Sequence, residues 1–378
     1  MNKKNEKGGK FFSWIKIIVS SFFVLVIGGV LFLKFDTSAA AQLTDNVLRP
    51  LLGDSNVIYL EKIFFNASDL AKRLTQNAGS EQAPQFIGND SGNISGGNLN
   101  LTQLEMDSNF KPLEGEGVWR NHPLGLFPNK EVMADTFIRP DPERSYAITT
   151  IVQLDLSVMR MGSVAGTKQP GGPVGKPGPG VVPKEIINSG KLIAAFDGGF
   201  QYKDGAYGMI VGNTTYLPLK NDLGTLVGYN DGTLKIVDYA GQSLGDNVVF
   251  VRQNCPMLVT DGAESVSDQK NKTLWGRLAA GTVGIYTWRS GIGLTKEGNL
   301  LFAVGNNLTP ETLARALKAA GAVNAIQLDI NPIWVRFNIF ESVGSGKYSS
   351  TTLTKDLQDG SKQYLGGYAK DFFYLYKK

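Results

Sequence analysis

The chain has 378 residues, a formal net charge of +4 and a single cysteine, Cys255. One cysteine excludes an intrachain disulfide, and with a single histidine, His122, it also excludes a zinc site built from thiolates or from several histidines. Much of the positive charge lies in N-terminal lysines and no basic block appears elsewhere, so we expect no nucleic-acid partner.

The first predicted element is a membrane anchor. Residues 17–33 carry no charge. At about 1.5 Å per residue they form roughly 25 Å of helix, and the flanking apolar residues extend it towards the about 30 Å of a bilayer core. The lysines before the run are Lys3, Lys4, Lys7, Lys10 and Lys16. Because positive charge stays on the cytoplasmic side, we predict a cytoplasmic tail over 1–16, a transmembrane signal-anchor over 17–35 and an extracytoplasmic C-terminal part of a single-pass protein of the cell membrane.

A cleaved signal peptide is the alternative for this segment, since 38–41 offers a small-residue cleavage site. We favour the anchor, because the apolar run exceeds the about 7–15 residues of a signal-peptide core and Lys34 follows it. Both alternatives export the rest of the chain. An exported domain without disulfides favours a bacterial source.

A helical segment and a flexible linker are predicted over 36–110. Apolar residues recur at three- and four-residue spacing between 43 and 76, which is typical of a helix. Residues 77–100 are rich in Gly, Ser, Asn and Gln and poor in large apolar side chains, as in flexible linkers. We expect the helical part to form a stalk.

Residues 111–378 are predicted to form one sheet-dominated domain. Short runs rich in β-branched and aromatic residues are separated by Gly, Asn or Asp. One amphipathic helix interrupts them, with Thr309 as its N-cap, Pro310 at its first position and Gly321 after its end. The fold class is therefore α+β, a mixed domain with few helices, preceded by a transmembrane helix and a helical stalk.

The segment 162–183 is unlike the rest of this domain. It contains seven glycines and five prolines, which excludes regular secondary structure over most of its length. A loop this long inside a compact domain is usually either functional or disordered. Both a functional lid and a mobile insertion remain open.

Three clusters carry residues suited to catalysis. Asp197 follows an apolar strand and precedes Gly198 and Gly199, which permit a tight turn and close approach of a ligand. Arg289 lies between two strands, and its guanidinium suits bidentate binding of a phosphate. Asp329 lies near the end of a buried strand. Each pattern is also common in structural turns and ion pairs, so none is specific by itself.

Two further features have alternative interpretations. Trp334, Arg336 and Asn338 alternate along a strand, where they supply a sugar platform and a second cationic contact or pack as one face of a sheet. For Trp334 we favour packing. We interpret His122, beside Pro123, as a loop residue rather than a catalytic base.

In their order along the chain, the motifs between residues 151 and 340 resemble those of the phosphodiester glycosidase family. The family's Asn-Gly-Gly-Phe-Phe motif resembles the segment that begins at Asp197, and its Arg-[Ser/Thr]-Ala-[Ile/Val]-Gly motif resembles the one that begins at Arg289. Further likenesses begin at Gly208, Gln253 and Leu328. The chain departs from the family in two places: Asp197 replaces an asparagine, and residues 330–332 (Ile-Asn-Pro) replace a glycine run.

The resemblance implies a hydrolase that cleaves sugar-1-phosphodiester linkages, here in envelope glycans or an exopolysaccharide. Asp197 and Asp329 would act as acid, base or nucleophile on the glycosidic bond, and Arg289 would bind the phosphodiester. The expected substrate-binding residues are Gly198, Gly199, Ser290, Asn331 and Asp261.

The expected partners are a carbohydrate or glycopolymer substrate and, through the anchor, the lipid bilayer. No metal and no other cofactor is expected. The altered motif after Leu328 keeps one alternative open, which is a catalytically inactive glycan-binding or polymer-assembly module.

Overall fold

The computed structural model describes residues 49–53, 56, 67, 69–74, 82–86, 98–99, 101–105, 109–266, 275 and 286–378. The predicted cytoplasmic tail and membrane anchor, and most of the predicted stalk and linker, lie outside these residues. No helix within them is long and apolar enough to cross a bilayer. The chain divides into two compact units, 1–70 and 71–378.

The first unit contains the helical turn α1 (Arg49–Leu52). The second unit includes the helices α2 (Lys184–Ser189), α3 (Pro310–Ala319) and α4 (Ser361–Gly366), helical residues at 71–74 and a 3-10 turn at Tyr202–Asp204. The strands are β1 (Arg120–Asn121), β2 (Met133–Ile138), β3 (Thr149–Leu154), β4 (Met159–Val164), β5 (Leu192–Asp197), β6 (Met209–Val211), β7 (Thr214–Leu217), β8 (Leu223–Tyr229), β9 (Leu234–Tyr239), β10 (Val248–Gln253), β11 (Met257–Thr260), β12 (Ala263–Glu264), β13 (Thr287–Thr295), β14 (Leu300–Leu308), β15 (Ala322–Ile330), β16 (Phe337–Gly344), β17 (Lys347–Thr352) and β18 (Phe372–Lys377). The prediction of a sheet-dominated domain with few helices is thus confirmed.

The strands of the second unit form three antiparallel sheets. The largest has eight strands in the order β1-β2-β3-β14-β13-β15-β11-β12. A five-stranded sheet has the order β7-β6-β10-β8-β9, and another has the order β17-β16-β5-β18-β4. We call the last one the C-terminal sheet, because β16, β17 and β18 belong to it.

An aromatic core joins the eight-stranded sheet to the C-terminal sheet. Phe196 of β5 stacks on Phe337 of β16 with ring centroids 5.5 Å apart. Phe302 of β14 packs against both, at 5.1 Å and 4.9 Å. All three rings are fully buried. Because Phe196 immediately precedes Asp197, this packing fixes where the end of β5 lies.

Helix α3 covers the opposite face of the eight-stranded sheet. Thr309 caps it as predicted, since its hydroxyl accepts a hydrogen bond from Thr312 N–H in a reciprocal capping box. Leu313 and Leu317 face the sheet, and a Cβ added at Gly291 of β13 would lie only 3.0 Å from Leu317 Cδ1. The small residue at 291 therefore lets the helix approach the sheet closely.

Residues 165–183 form a loop that we call the Gly/Pro loop; residues 162–164 of the predicted irregular segment belong to β4 instead. The loop is held by main-chain hydrogen bonds to the residues before β18. Thr167 N–H donates to Tyr368 O at 2.9 Å, and Lys168 N–H donates to Ala369 O at 3.1 Å. At Gly166 an added Cβ would lie 2.4 Å from the carbonyl carbon of Lys370. The Gly/Pro loop therefore fixes the main chain that leads to Lys370.

Candidate active site

Asp197 lies where the eight-stranded sheet and the C-terminal sheet meet. Its Oδ2 accepts hydrogen bonds from the Ser290 hydroxyl at 2.6 Å and from Asp329 N–H at 3.2 Å. Its Oδ1 accepts from Arg336 N–H at 3.0 Å. One carboxyl group at the end of β5 is therefore bound by donors from β13, from β15 and from the residue that precedes β16.

The environment of Asp197 brings its pKa close to neutral pH. Burial raises the pKa of Asp197 from 3.8 to about 7, although the hydrogen bonds from Ser290 and Arg336 and the charge of Lys370 all act to lower it. A carboxyl group with a pKa near neutrality can both accept and release a proton at neutral pH. Asp197 is thus suited to general acid–base chemistry.

Asp329 reaches the same place because β15 contains a bulge. Arg289 pairs with Ile330 and Gly291 pairs with Gln327, so Leu328 and Asp329 together face the single residue Ser290. In a regular strand the side chains of residues 327 and 329 would share one face. The extra residue puts them on opposite faces, so that Asp329 N–H reaches Asp197 and the Asp329 carboxyl group reaches Lys370.

Asn254 stabilises this bulge. Its Nδ2 donates to Gln327 O and to Leu328 O, both at 2.7 Å, so two successive carbonyl groups turn towards one side chain. Its Oδ1 accepts from Phe200 N–H at 3.2 Å. Asn254 therefore links the bulge that directs Asp329 to the turn that follows Asp197.

Lys370 completes the site, although nothing in the sequence singled it out. Its ammonium forms a buried ion pair with Asp329 Oδ2 and lies 4.6 Å from the centre of the Trp334 ring. Burial lowers the pKa of Lys370 to about 8, while the charges of Asp371 and Asp197 act to raise it. Trp334 is partly exposed, so its ring covers the ammonium on the solvent side of the site.

A second buried ion pair supports the turn after Asp197. Arg252 donates to Asp371 from Nε at 2.8 Å and from Nη2 at 3.3 Å, and Gly199 N–H donates to Asp371 Oδ2 at 3.1 Å. A Cβ at Gly198 would lie 2.2 Å from Asp371 Oδ2, and one at Gly199 would lie 2.6 Å from Arg252 Nη2. The two glycines thus let the main chain pack closely against the Arg252–Asp371 ion pair of the protein itself, and not against a ligand.

The structure does not bring Arg289 to the two carboxyl groups. Arg289 and Ser290 are consecutive in β13, so their side chains leave opposite faces of the sheet. The Arg289 guanidinium is fully buried and donates to Leu308 O at 2.9 Å, to Trp275 O at 2.8 Å and to Gln327 Oε1 at 2.9 Å. Its N–H groups thus donate to carbonyl groups and to a glutamine on the face of the sheet that points away from Asp197.

The predicted substrate-binding residues fall in different places. Ser290 lies within the site. Asn331 lies next to it with a positive φ of 75°, and its N–H donates to Trp288 O at 3.0 Å. Asparagine tolerates this left-handed conformation better than most residues, which explains how the chain turns here without the family's glycine.

Asp261 lies away from Asp329. It occupies the two-residue turn between β11 and β12, with positive φ at both turn positions, and its N–H donates to Asn324 Oδ1 at 3.1 Å. Asn324 and Asp329 belong to the same strand, five residues apart, which corresponds to about 17 Å at about 3.3 Å per residue. The geometry gives Asp261 no part in this site.

The chemistry of the site rests on carboxyl, hydroxyl and ammonium groups. No group of three or more His, Cys, Asp or Glu side chains among the described residues is placed to hold a metal ion. His122 follows β1 directly, and its Nδ1 lies 3.1 Å from Asp135 Oδ2.

Comparison with known proteins supports the family resemblance. Residues 190–329 match the sequence model of the phosphodiester glycosidase family. The match includes Asp197, Ser290 and Asp329, and it ends before Arg336 and Lys370. It confirms the resemblance drawn from the motifs. No curated protein matches the chain.

Several solved structures are similar at low identity, among them the following two. The catalytic domain of zebrafish N-acetylglucosamine-1-phosphodiester alpha-N-acetylglucosaminidase, auto-inhibited by its pro-peptide, is 15% identical, and the match covers 69% of this chain and 88% of that chain with a TM-score of 0.41. A hypothetical protein from Synechocystis is 11% identical, with coverage of 66% of this chain and 63% of that chain and a TM-score of 0.35.

Proposed function

We propose, from the phosphodiester glycosidase domain carried by residues 190–329, that this protein is a hydrolase of sugar-1-phosphodiesters with Asp197, Asp329 and Lys370 at its reaction centre. One observation carries the proposal: Asp197 and Asp329 come from two different sheets, and the Ser290 hydroxyl donates to the Asp197 carboxyl group and accepts from the main-chain N–H of Asp329. Glycosidic bond cleavage commonly requires two carboxyl groups on either side of the scissile bond.

Asp329 is proposed to stabilise the positive charge that develops on the anomeric carbon. The ion pair with Lys370 favours a negative charge on Asp329. When the bond between the anomeric carbon and the phosphate oxygen breaks, its electron pair stays on that oxygen. The leaving group is then a phosphate monoester, a weak base that needs little protonation.

Asp197 is proposed to act as the general base. Its pKa of about 7 allows it to take a proton from the attacking water at neutral pH. The water oxygen bonds to the anomeric carbon, and the proton passes from Asp197 to solvent. The products are the free sugar and the phosphate monoester.

We further propose that the substrate is an envelope glycan or exopolysaccharide. The support is the uncharged run 17–33, which would tether the domain to the bilayer and restrict it to substrates near the membrane surface. In this proposal the protein is a single-pass membrane protein with its hydrolase domain outside the cytoplasm.

The test is release of reducing sugar from a panel of sugar-1-phosphodiesters by the full chain in detergent. We expect turnover by the wild type and a loss of at least about 100-fold in kcat for Asp329→Asn. Asp222→Asn is the matched control: Asp222 is exposed and has a positive φ of 61°, a conformation that Asn also tolerates. Equal kcat for wild type and Asp329→Asn would contradict the proposal.

The same panel tests the non-catalytic alternative. Asp197, Asp329 and Lys370 are all at most 3% exposed, which would also suit a site that serves only to hold the fold together. Binding of glycopolymer by the wild type without release of any sugar or phosphate would favour a glycan-binding module.

A further inference from the structure

Arg336 brings a positive charge into the interior beside Asp197. Its N–H donates to Asp197 Oδ1 at 3.0 Å, and Asp197 N–H donates to Arg336 O at 3.2 Å. Because Phe337 pairs with Phe196, Arg336 and Asp197 are cross-strand neighbours whose side chains leave the C-terminal sheet on the same face. Arg336 is only 8% exposed.

The Arg336 guanidinium lacks the partners that other buried arginines have. Its Nε and Nη1 are buried, and neither donates to any residue that the structure describes. By contrast, Arg139 donates to Glu116 and Arg252 donates to Asp371. Because buried hydrogen-bond donors without acceptors are costly, we expect a group that accepts these hydrogen bonds in the working protein.

Tyr364 presents a further unpartnered donor next to Arg336. Its hydroxyl is fully buried and has no hydrogen bond within the described part of the chain. The two side chains meet over Gly360, where an added Cβ would lie 2.9 Å from Arg336 Cδ and 2.9 Å from Tyr364 Cε2. Burial raises the pKa of Tyr364 well above its usual value, so the hydroxyl keeps its proton and can donate.

The charges of Arg336 and Asp359 attract each other, but the neighbouring carboxyl groups already accept hydrogen bonds from other donors. Asp359 Oδ1 accepts from Asn338 Nδ2 at 2.7 Å and from Ser361 N–H at 2.8 Å. Asp197 accepts from three donors of its own. The Tyr368 ring lies against the guanidinium, 5.4 Å from it. The unpartnered groups are thus donors, which fits a ligand rich in acceptors such as phosphate.

We propose that Arg336 and the Tyr364 hydroxyl bind the phosphate of the substrate's phosphodiester, next to the Asp197 carboxyl group. This inference rests on the proposed function and deepens it. It gives Arg336 the role that the motif resemblance gave to Arg289, whose donors are engaged on the opposite face of the sheet. The scissile bond then lies between the phosphate at Arg336 and the carboxyl groups of Asp197 and Asp329.

The direct test is binding of inorganic phosphate and of dimethyl phosphate, measured by calorimetry on the full chain in detergent. We expect saturable binding by the wild type, at least about tenfold weaker binding by Arg336→Met, and about threefold to tenfold weaker binding by Tyr364→Phe. The matched controls are Arg160→Met, which removes a surface arginine bonded to Asn230 O, and Tyr376→Phe. Absence of phosphate binding by the wild type, or unchanged affinity in Arg336→Met, would overturn the inference.

Thermal unfolding separates phosphate binding from a structural role. Arg336→Met removes a buried charge with two unsatisfied donors and keeps the length of the side chain, so we expect a Tm equal to or above that of the wild type. If Arg336 acts only in the fold, the variant has a lower Tm and an unchanged affinity for phosphate. That result would also overturn the inference.

Kinetics distinguish failure of this inference from failure of the proposed function. We expect Arg336→Met to lower kcat/KM on a sugar-1-phosphodiester by at least about tenfold, and to lower kcat/KM on an uncharged aryl glycoside of the same sugar by a smaller factor. A wild type that binds phosphate through Arg336 but cleaves nothing refutes the hydrolase and leaves this inference standing. A wild type that cleaves the diester equally well as Arg336→Met refutes this inference alone.

Discussion

At the scale of single residues, Asp197 shows why its departure from the family pattern matters. Both of its oxygens act only as acceptors, from Arg336 N–H on one side and from Ser290 and Asp329 N–H on the other. An asparagine would direct its NH2 group at one of these main-chain donors in either orientation. The donors around Asp197 therefore suit a carboxyl group and not the amide that the family motif has.

The shifted titration of Asp197 predicts a specific pH dependence of stability. Its pKa is 3.8 as a free side chain and about 7 in the folded protein. Between about pH 4 and pH 7 the folded protein binds more protons at this position than the unfolded chain, so the free energy of unfolding falls as the pH rises, by roughly 4 kcal/mol.

Asp197→Asn lacks this titration. Its free energy of unfolding, relative to that of the wild type, therefore increases as the pH rises through the same range. Denaturant unfolding of both proteins at several pH values between 4 and 7 measures the difference. The Asp222→Asn control should follow the wild type. If the free energy of unfolding changes with pH in the same way in the wild type and in Asp197→Asn, the pKa of Asp197 is not raised.

The sequence identifies some site residues and misses others for a physical reason. Asp197 and Asp329 stand out because each lies at or next to the end of an apolar strand, which is a local pattern. Lys370 and Arg252 join the site only through contacts with residues 41 and 119 positions away. Arg289 resembles a binding residue because glycines follow it, but the glycine at 291 makes room for α3.

At the scale of elements, the bulge in β15 decides which side chains meet. Regular alternation along AIQLDI predicts that Gln327 and Asp329 share a face, and the structure separates them with one extra residue. A bulge of this kind depends on its neighbours, here on the Asn254 amide, and not on the strand's own sequence. Helix α3 was predictable because its cap residues, Thr309 and Pro310, are local signals.

Asn254→Ala should weaken both the fold and the site. The variant leaves two buried carbonyl groups and one buried N–H without the partner they have now. We expect a loss of about 2–4 kcal/mol in the free energy of unfolding and a lower kcat, because Asp329 is no longer held in its present direction.

Urea unfolding and kinetics on the same preparation measure the two effects of Asn254→Ala. Asn247→Ala is the matched control, because Asn247 is exposed and lies beside the start of β10. We expect it to change stability by less than about 0.5 kcal/mol. A fully stable and fully active Asn254→Ala would mean that the bulge does not depend on this side chain.

At the scale of the whole molecule, the candidate active site depends on the packing of one sheet on another. Asp197 comes from the C-terminal sheet, and Ser290 and Asp329 come from the eight-stranded sheet. The rings of Phe196, Phe302 and Phe337 fill the space between the sheets next to these residues. The sequence predicts a sheet-rich fold from composition and turn residues, but it does not predict which sheets face each other, because those contacts join distant parts of the chain.

Phe302→Ala is expected to loosen this junction. Phe302 is fully buried and contacts both Phe196 and Phe337, so its removal should lower the free energy of unfolding by about 3–5 kcal/mol. Val343→Ala, at a residue that is 64% exposed, should have an effect below about 0.5 kcal/mol. Denaturant unfolding measures the stability of both variants. Similar small losses in the free energy of unfolding would show that Phe302 does not join the sheets.

The position of Lys370 has a consequence for the order in which the protein matures during synthesis. Asp197, Ser290 and Asp329 all precede Lys370 in the chain, and β18, which follows it, docks between β5 and β4 in the interior of the C-terminal sheet. A nascent chain that has reached only β17 therefore holds Asp329 without its counter-charge and β5 without one of its neighbours. The ribosome thus adds the Lys370 ammonium after the other three groups, and the candidate site is incomplete in every nascent chain that stops before Lys370.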